Sequence, residues 1–310
     1  MNSLILIFLF LILTLNYKFN DTKLKFKSFQ IDYINETIDL DEEIGHGRFS
    51  TVFKGKLKNG TIIAAKKLKP QGDWRLKREI SVLTKLQNVS NVIHLYGVYG
   101  NEESPIIATE YIKKDDKIIP SYENLKWLMR SILIGINGAH NLNIFHRDIK
   151  WQNILFSFDN HVFRIIDWGL ADYDDGSEYN YNIGTKSYKA PELLFKYKRY
   201  NKSIDIWACG CLMANIILGI PSFFNGADNQ AVLYRQANFF GQRRFEKLAE
   251  RYKSKIDFPY SRSQTFYEYI LPHTRHLITN ESINFLTSLL TPEPERRIKA
   301  SEALQDPFLK

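Results

Sequence analysis

From Ile38 to Glu110 apolar and polar residues alternate in short runs, the period-two pattern of half-buried strands. Two such runs, STVFKGKL and TIIAAKKL, flank Asn59-Gly60, the dipeptide that most strongly marks a tight hairpin. One segment breaks the alternation: in WRLKREISVLTKL the apolar residues Leu76, Ile80, Leu83 and Leu86 recur at helical spacing. After Tyr111 the spacing turns helical, most clearly in ENLKWLMRSILIGINGAH, SIDIWACGCLMANIILG and SINFLTSLL. The pattern predicts an α+β chain, with a small antiparallel sheet lobe carrying one helix followed by a larger, mainly helical lobe. No repeat of solenoid length and no Pro/Gly/Ser linker divides it.

With 310 residues, 44% of them hydrophobic, the chain can bury one large core or two lobes. The formal net charge of +8 raises nucleic acid as a partner. However, Lys and Arg are scattered beside Asp and Glu instead of forming a stripe with aromatic platforms, so no nucleic acid is expected. Cys209 and Cys211 lie two apart in a predicted helix and point to different sides, which excludes a mutual disulfide and leaves them as small core residues.

The opening MNSLILIFLFLILTLN holds an unbroken apolar run from Leu4 to Leu13, extended by Thr14 and Leu15. It is shorter than the roughly 20 residues of a spanning helix and close to the length of a signal-peptide core. No basic residue precedes it and no small-x-small cleavage site follows. Were it an uncleaved anchor, Lys18, Lys23, Lys25 and Lys27 would favour keeping the rest of the chain in the cytoplasm. Three readings stand: the secretory pathway, membrane association through residues 4–15, or a cytoplasmic or nuclear chain. The expected division is a hydrophobic segment over 1–15, an extension over 16–37, and a domain over 38–310 with lobes 38–110 and 111–310.

Polar groups then concentrate in a few places. In EIGHGRFSTVFKG, Gly45 and Gly47 precede a strand, where absent side chains let backbone amides approach phosphates, and Ser50 stands where a third glycine is common. In IIAAKKLKP, Lys66 sits in a mostly apolar strand, where a charge needs a partner, and Glu79 on the following helix can supply one. Lys67 is the alternative lysine. Alternation sends it to the opposite face, together with Ala65, which suits an adenine roof. The densest cluster is IFHRDIKWQNILF, whose His146, Arg147, Asp148, Lys150 and Asn153 crowd a loop between apolar stretches. Asp167-Trp168-Gly169 and KAPELL follow.

These blocks, in this order, resemble the protein kinase superfamily: a glycine-rich loop, a strand lysine, His-Arg-Asp-x-Lys-x-x-Asn, an Asp-aromatic-Gly and Ala-Pro-Glu. The likeness spans about Ile38 to Phe308 and implies the bilobal protein kinase fold. It includes the DIWACGC helix and Arg297, which in kinases pairs with the glutamate of Ala-Pro-Glu, here Glu192. Within the superfamily the chain is similar to the catalytic alpha subunit of casein kinase II. The shared details are the Gly-x-Gly-x-x-Ser loop, Asp-Trp-Gly, GSEYN and PSFFNGADN.

The resemblance implies transfer of the ATP γ-phosphate to Ser or Thr of protein substrates, with magnesium. It assigns Asp148 to the substrate hydroxyl, Lys150 to the transferred phosphate, and Asn153 and Asp167 to magnesium. Lys66, held by Glu79, meets the inner phosphates under the loop Gly45, His46, Gly47, Arg48, Phe49, Ser50 and Val52. Ile44, Val52, Ala65, Leu155 and Ile166 enclose adenine, and Glu110 and Ile112 offer it backbone hydrogen bonds. Thr109 stands where the superfamily gates a rear pocket. Trp151 departs from the proline usual after the catalytic-loop lysine. The alternatives are a cyclin-dependent or MAP-type relative and an inactive scaffold.

A preference for acidic substrates follows in weakened form. Lys186 and Lys189 keep two activation-segment cations, Asn182 replaces a third, and the lysine cluster is reduced to Arg75, Lys77 and Arg78 beside Asp73. Arg147 is an anchor for a phosphorylated activation segment, with Thr185, Ser187 and Tyr179 as acceptors. Against that, the acids of DYDDGSEY and the casein kinase II likeness imply constitutive activity. A regulatory subunit is a partner the resemblance admits.

Overall fold

The computed structural model describes residues 26, 28–47, 50–68, 74–115, 121–259 and 264–310. The apolar run of residues 4–15, Asp73, Arg48 and Phe49 lie outside these. Among the described residues no helix is long and apolar enough to cross a membrane. The chain divides into two units: residues up to Lys85 together with His94–Tyr111, and Leu86–Ile93 together with Ile112–Lys310.

The alternating segment of the first unit forms strands β2 (Asp39–His46), β3 (Ser50–Lys56), β4 (Ile62–Leu68), β5 (Leu95–Tyr99) and β6 (Ile106–Glu110). Neighbours among them run antiparallel, in the order β5-β6-β4-β3-β2. Gly60, at φ 87°, makes the turn between β3 and β4, where a left-handed backbone favours glycine. One strand was not anticipated: β1 (Tyr33–Ile34), from the extension before Ile38, adds to the sheet edge in parallel with β5. The predicted helix is α1 (Trp74–Lys85), burying Leu76 and Ile80 against Val98 and Ile107, with Leu83 buried as well.

The extension also reaches α1. Phe26 is buried, and the Arg78 guanidinium lies 5.3 Å from its ring and 4.8 Å from that of Trp74. An arginine stacked on two rings keeps its charge satisfied while shedding water. Arg78 is only 3% exposed, which corrects its expected place in a substrate-facing basic cluster.

The second unit is built on helix α4 (Ser203–Leu218), preceded by α2 (Tyr122–Asn141) and the short α3 (Pro191–Leu194), and followed by α5 (Asn229–Phe240), α6 (Gln242–Arg251), α7 (Asn280–Leu289) and α8 (Ala300–Ala303). Every residue of α4 after its first is buried, so it runs through the core, with α2 and α7 packed against it. Cys209 and Cys211 are free and buried there, and burial pushes both thiols up, leaving them unreactive. Helix α2 is capped by Ser121, whose hydroxyl accepts the Asn124 N–H at 3.1 Å. It closes at Asn143, φ 54°, a left-handed position that asparagine tolerates and that turns the chain sharply toward the site.

Candidate active site

Two small ribbons frame the polar loop of the second unit. Strand β7 (Ile144–Phe145) pairs with β10 (Asp172–Tyr173), and β8 (Ile154–Ser157) with β9 (Val162–Ile165). Residues 146–153 are thus suspended between β7 and β8, and Asp167 follows β9 directly. Strands of two residues, as in β7 and β10, or of four, as in β8 and β9, leave little or no period in a sequence.

The loop hangs from α4. The Asp205 carboxylate accepts the backbone N–H of His146 at 2.8 Å and of Arg147 at 2.9 Å, and a ring nitrogen of His140 lies at 2.9 Å. Burial by itself would raise this carboxyl. The His140 hydrogen bond and charge, with His146 and the Arg147 N–H, outweigh it and hold Asp205 below the usual carboxylate range. His146 in turn spans the loop. Its Nδ1 accepts the Asp148 N–H at 3.2 Å and its Nε2 donates to the Ile166 carbonyl at 3.0 Å, so the ring ties the two ends of the site together.

Asp148 gathers the centre of the constellation. Its Oδ1 accepts the Thr185 N–H at 2.9 Å and hydroxyl at 2.8 Å. Its Oδ2 accepts Lys150 Nζ at 2.6 Å and Asn153 Nδ2 at 3.3 Å. Lys150 also donates to the Thr185 hydroxyl at 3.2 Å. Asn153 spends its amide N–H on the Asp148 carbonyl at 2.8 Å, leaving its oxygen without a protein hydrogen bond among the described residues. Asp167 is exposed and left-handed, φ 60°, ψ 63°, at the head of a turn whose Trp168 is fully buried. The Trp168 indole N–H donates to the Ile165 carbonyl at 3.1 Å, a bond a phenylalanine could not make, and its ring lies 4.7 Å from that of His146.

In the first unit, Lys66 Nζ meets both oxygens of Glu79, at 2.7 and 3.0 Å, with the carboxylate 9% exposed. Register places Val52 opposite Lys66, and Ala64 opposite Thr109, so Val52, Ala64, Lys66 and Thr109 share one face of the sheet. Ala65 lies on the other face, fully buried with Leu57, Ile63, Tyr99 and Ala108. This corrects the expectation for Ala65: the alanine beside the paired lysine's side of the pleat is Ala64. Ile44 is 42% exposed on β2, and Val52 is half-buried. The Glu110 carboxylate accepts the His94 N–H at 2.8 Å. In the second unit, Leu155 and Ile166 are half-buried and joined to the loop by the Ile166 N–H, which donates to the Asn153 carbonyl at 3.0 Å. Ile112 is half-buried in the segment that precedes α2.

A model of the protein kinase domain matches residues 38–309. The chain belongs to the protein kinase family. A kinase acts on protein substrates and uses ATP, and the donor set fits the ion that accompanies it: a carboxylate at Asp167 and an amide oxygen at Asn153 are hard ligands suited to magnesium. The Gly47 N–H donates to the Ser50 carbonyl at 2.8 Å. A Cβ at Gly45 or Gly47 would meet its nearest neighbours at 3.7 and 3.5 Å, so the fold itself does not require glycine at either position. The kinase's Glu192 and Arg297 form a doubly hydrogen-bonded pair at 2.8 and 3.1 Å with no solvent exposure.

The activation segment departs from expectation. Arg147 is buried, with its guanidinium bound to Asp172 at 3.0 Å, to the Leu170 carbonyl at 2.7 Å and to the Tyr200 hydroxyl at 3.3 Å. It is therefore not the open phosphate anchor expected from the sequence. The three expected acceptors are also enclosed: Tyr179 and Ser187 are buried, and the Thr185 hydroxyl is held by Asp148 and Lys150.

Proposed function

We propose that this kinase is a protein serine/threonine kinase of casein kinase II alpha-like type, with a weakened preference for acidic sites. The observation that carries the reading is the constellation of Asp148, Lys150, Asn153 and Thr185. Asp148 accepts the proton of the attacking hydroxyl, and Lys150, already 2.6 Å from it, neutralises charge that develops on the transferred group. The Thr185 N–H and hydroxyl bind the activation segment directly to Asp148, which favours a short hydroxyl on a closely passing main chain, as in Ser or Thr, over a phenol at the end of a ring. Asn153 and Asp167 would hold magnesium, which would screen the phosphate charges of ATP. Lys66, oriented by Glu79, takes the inner phosphates, and the glycines of the Gly45–Val52 loop leave room for them. Ile44, Val52 and Ala64 give the sheet of the first unit apolar surface suited to adenine.

The acidic preference is supported by Lys189. It is 5% exposed beside Asp148 and Thr185, burial lowers its pKa, and its ammonium has no hydrogen-bond or ion-pair partner among the described residues. A desolvated, unpaired cation next to the acceptor site favours a carboxylate on the substrate. Lys186 donates to the Ala227 carbonyl at 2.7 Å and keeps its charge at the surface.

Transfer of γ-phosphate from Mg·ATP to a peptide library, wild type against Asp148→Asn, tests both levels. Labelling of Ser and Thr followed by acids supports the proposal. Labelling before proline or beside basic residues would favour a cyclin-dependent or MAP-type relative, and labelling no greater than the variant's would leave an inactive scaffold.

A further inference from the structure

Three stretches of chain meet behind Asp148: the catalytic loop from Phe145 to Arg147, the activation segment from Asp172 to Asn180, and the residues between α3 and α4. Tyr200, 3% exposed, stands at their junction. Its hydroxyl accepts Arg147 Nη1 at 3.3 Å and donates to the Asn180 carbonyl at 2.7 Å. Beside it, the Tyr179 N–H donates to the Lys198 carbonyl at 2.8 Å, and the Tyr179 hydroxyl, 2.8 Å from the Tyr173 carbonyl, accepts the Asp175 N–H at 2.9 Å. The rings of Phe145, Tyr179 and Tyr200 lie 5.2 to 6.1 Å apart, with the Arg147 guanidinium 5.4 Å from Phe145 and 5.9 Å from Tyr179.

Arg147 has φ 70°, a left-handed conformation disfavoured for a bulky side chain and maintained only where surrounding contacts over-determine it. Asp172, at the start of the activation segment, meets its charge, and the Tyr200 hydroxyl extends that hold further along the segment, to the Asn180 carbonyl. We propose that Tyr200 is a positioning residue for phosphoryl transfer, its hydroxyl fastening the activation segment to Arg147 and so fixing Asp148 and Thr185 without a phosphate. The proposal rests on the reading of the chain as an active kinase.

Tyr200→Phe in the full-length protein removes the hydroxyl and keeps the ring. Loss of a hydrogen bond to a charged group predicts a roughly tenfold fall in kcat, with KM for ATP unchanged and faster amide exchange over residues 179–185. Losses from Tyr200→Phe and Arg147→Lys should be non-additive in a double-mutant cycle, and phosphatase-treated wild type should keep its rate. Wild-type kcat in Tyr200→Phe, losses that simply multiply, or activity lost on phosphatase treatment would each overturn the proposal. A wild type that transfers no phosphate overturns the kinase reading as well, so the two failures are distinguishable.

Discussion

The Glu192–Arg297 pair offers a quantitative test of how the larger unit is held together. Glu192→Gln keeps volume and shape but removes the charge opposite a guanidinium with no solvent exposure. Arg297 keeps hydrogen bonds to the carbonyls of Thr291, Ser203 and Pro292, yet none of these neutralises it. Leaving a buried charge unpaired costs about 3–5 kcal/mol. At roughly 2 °C per kcal/mol for a domain of this size, Tm should fall by about 6–10 °C. The control is Glu295→Gln, which breaks the ion pair with Arg251, whose side chains are 48% and 50% exposed. Solvent-screened pairs contribute at most about 1 kcal/mol, so this variant should stay within about 2 °C of wild type. Replacing both Glu192 and Arg297 by methionine should recover part of the loss, because no unpaired charge is then buried. Scanning calorimetry of the four proteins in one buffer at pH 7 is decisive. Equal shifts in Glu192→Gln and Glu295→Gln would refute the reasoning, as would a double variant less stable than Glu192→Gln.

Other outcomes follow from the site. Asp148→Asn should lower kcat by about 10²–10⁴-fold with little change in nucleotide affinity, measured by phosphotransfer and equilibrium binding. Glu79→Gln should weaken ATP binding while Glu43→Gln, on exposed β2, does not; equal effects would argue against the Lys66–Glu79 pair as the phosphate grip. Lys189→Met should raise Tm by relieving a desolvated cation, yet raise KM for acidic peptides, and a fall in Tm would mean that the ammonium has a stabilising partner. Asp205 has a folded pKa held below the ordinary aspartate value of 3.8, so its contribution is complete above that value and is lost as pH falls below it. Unfolding midpoints of wild type should therefore drop in strong acid and hold between pH 6 and 8, and Asp205→Asn should flatten the acid limb.

Much of this was legible in the residues. The hairpin at Asn59-Gly60, the spacing of α1 and α2 and the apolar run of α4 predicted their elements, because each follows a local period. The partnership of Lys66 with Glu79 could be named because a charge in an apolar strand requires a counterpart, and that of Glu192 with Arg297 because the kinase resemblance implies it. What failed was whatever depended on tertiary surroundings. Ala64-Ala65 followed by Lys66-Lys67 reads equally well in either register, and only the packing of Ile63 and Ala65 into the sheet core decides which alanine accompanies the paired lysine. Arg78 and Arg147 looked solvent-facing because they are arginines. Two aromatic rings enclose the first, and Asp172 and Tyr200 occupy the second, none of them predictable from spacing. The parallel pairing of Tyr33-Ile34 with β5 was equally hidden, since two residues carry no pattern.

Asp205 lies on a helix buried from its second residue to its last, and from there it holds the backbone of the loop bearing Asp148. Opening that loop therefore requires disturbing the core itself, so its amides should exchange only at rates approaching global unfolding. The activation segment joins the same support through Thr185, whose N–H and hydroxyl meet the Asp148 carboxylate. Core packing and loop geometry are therefore one variable: a substitution that loosens the buried helix should show itself at Asp148 as well as in Tm.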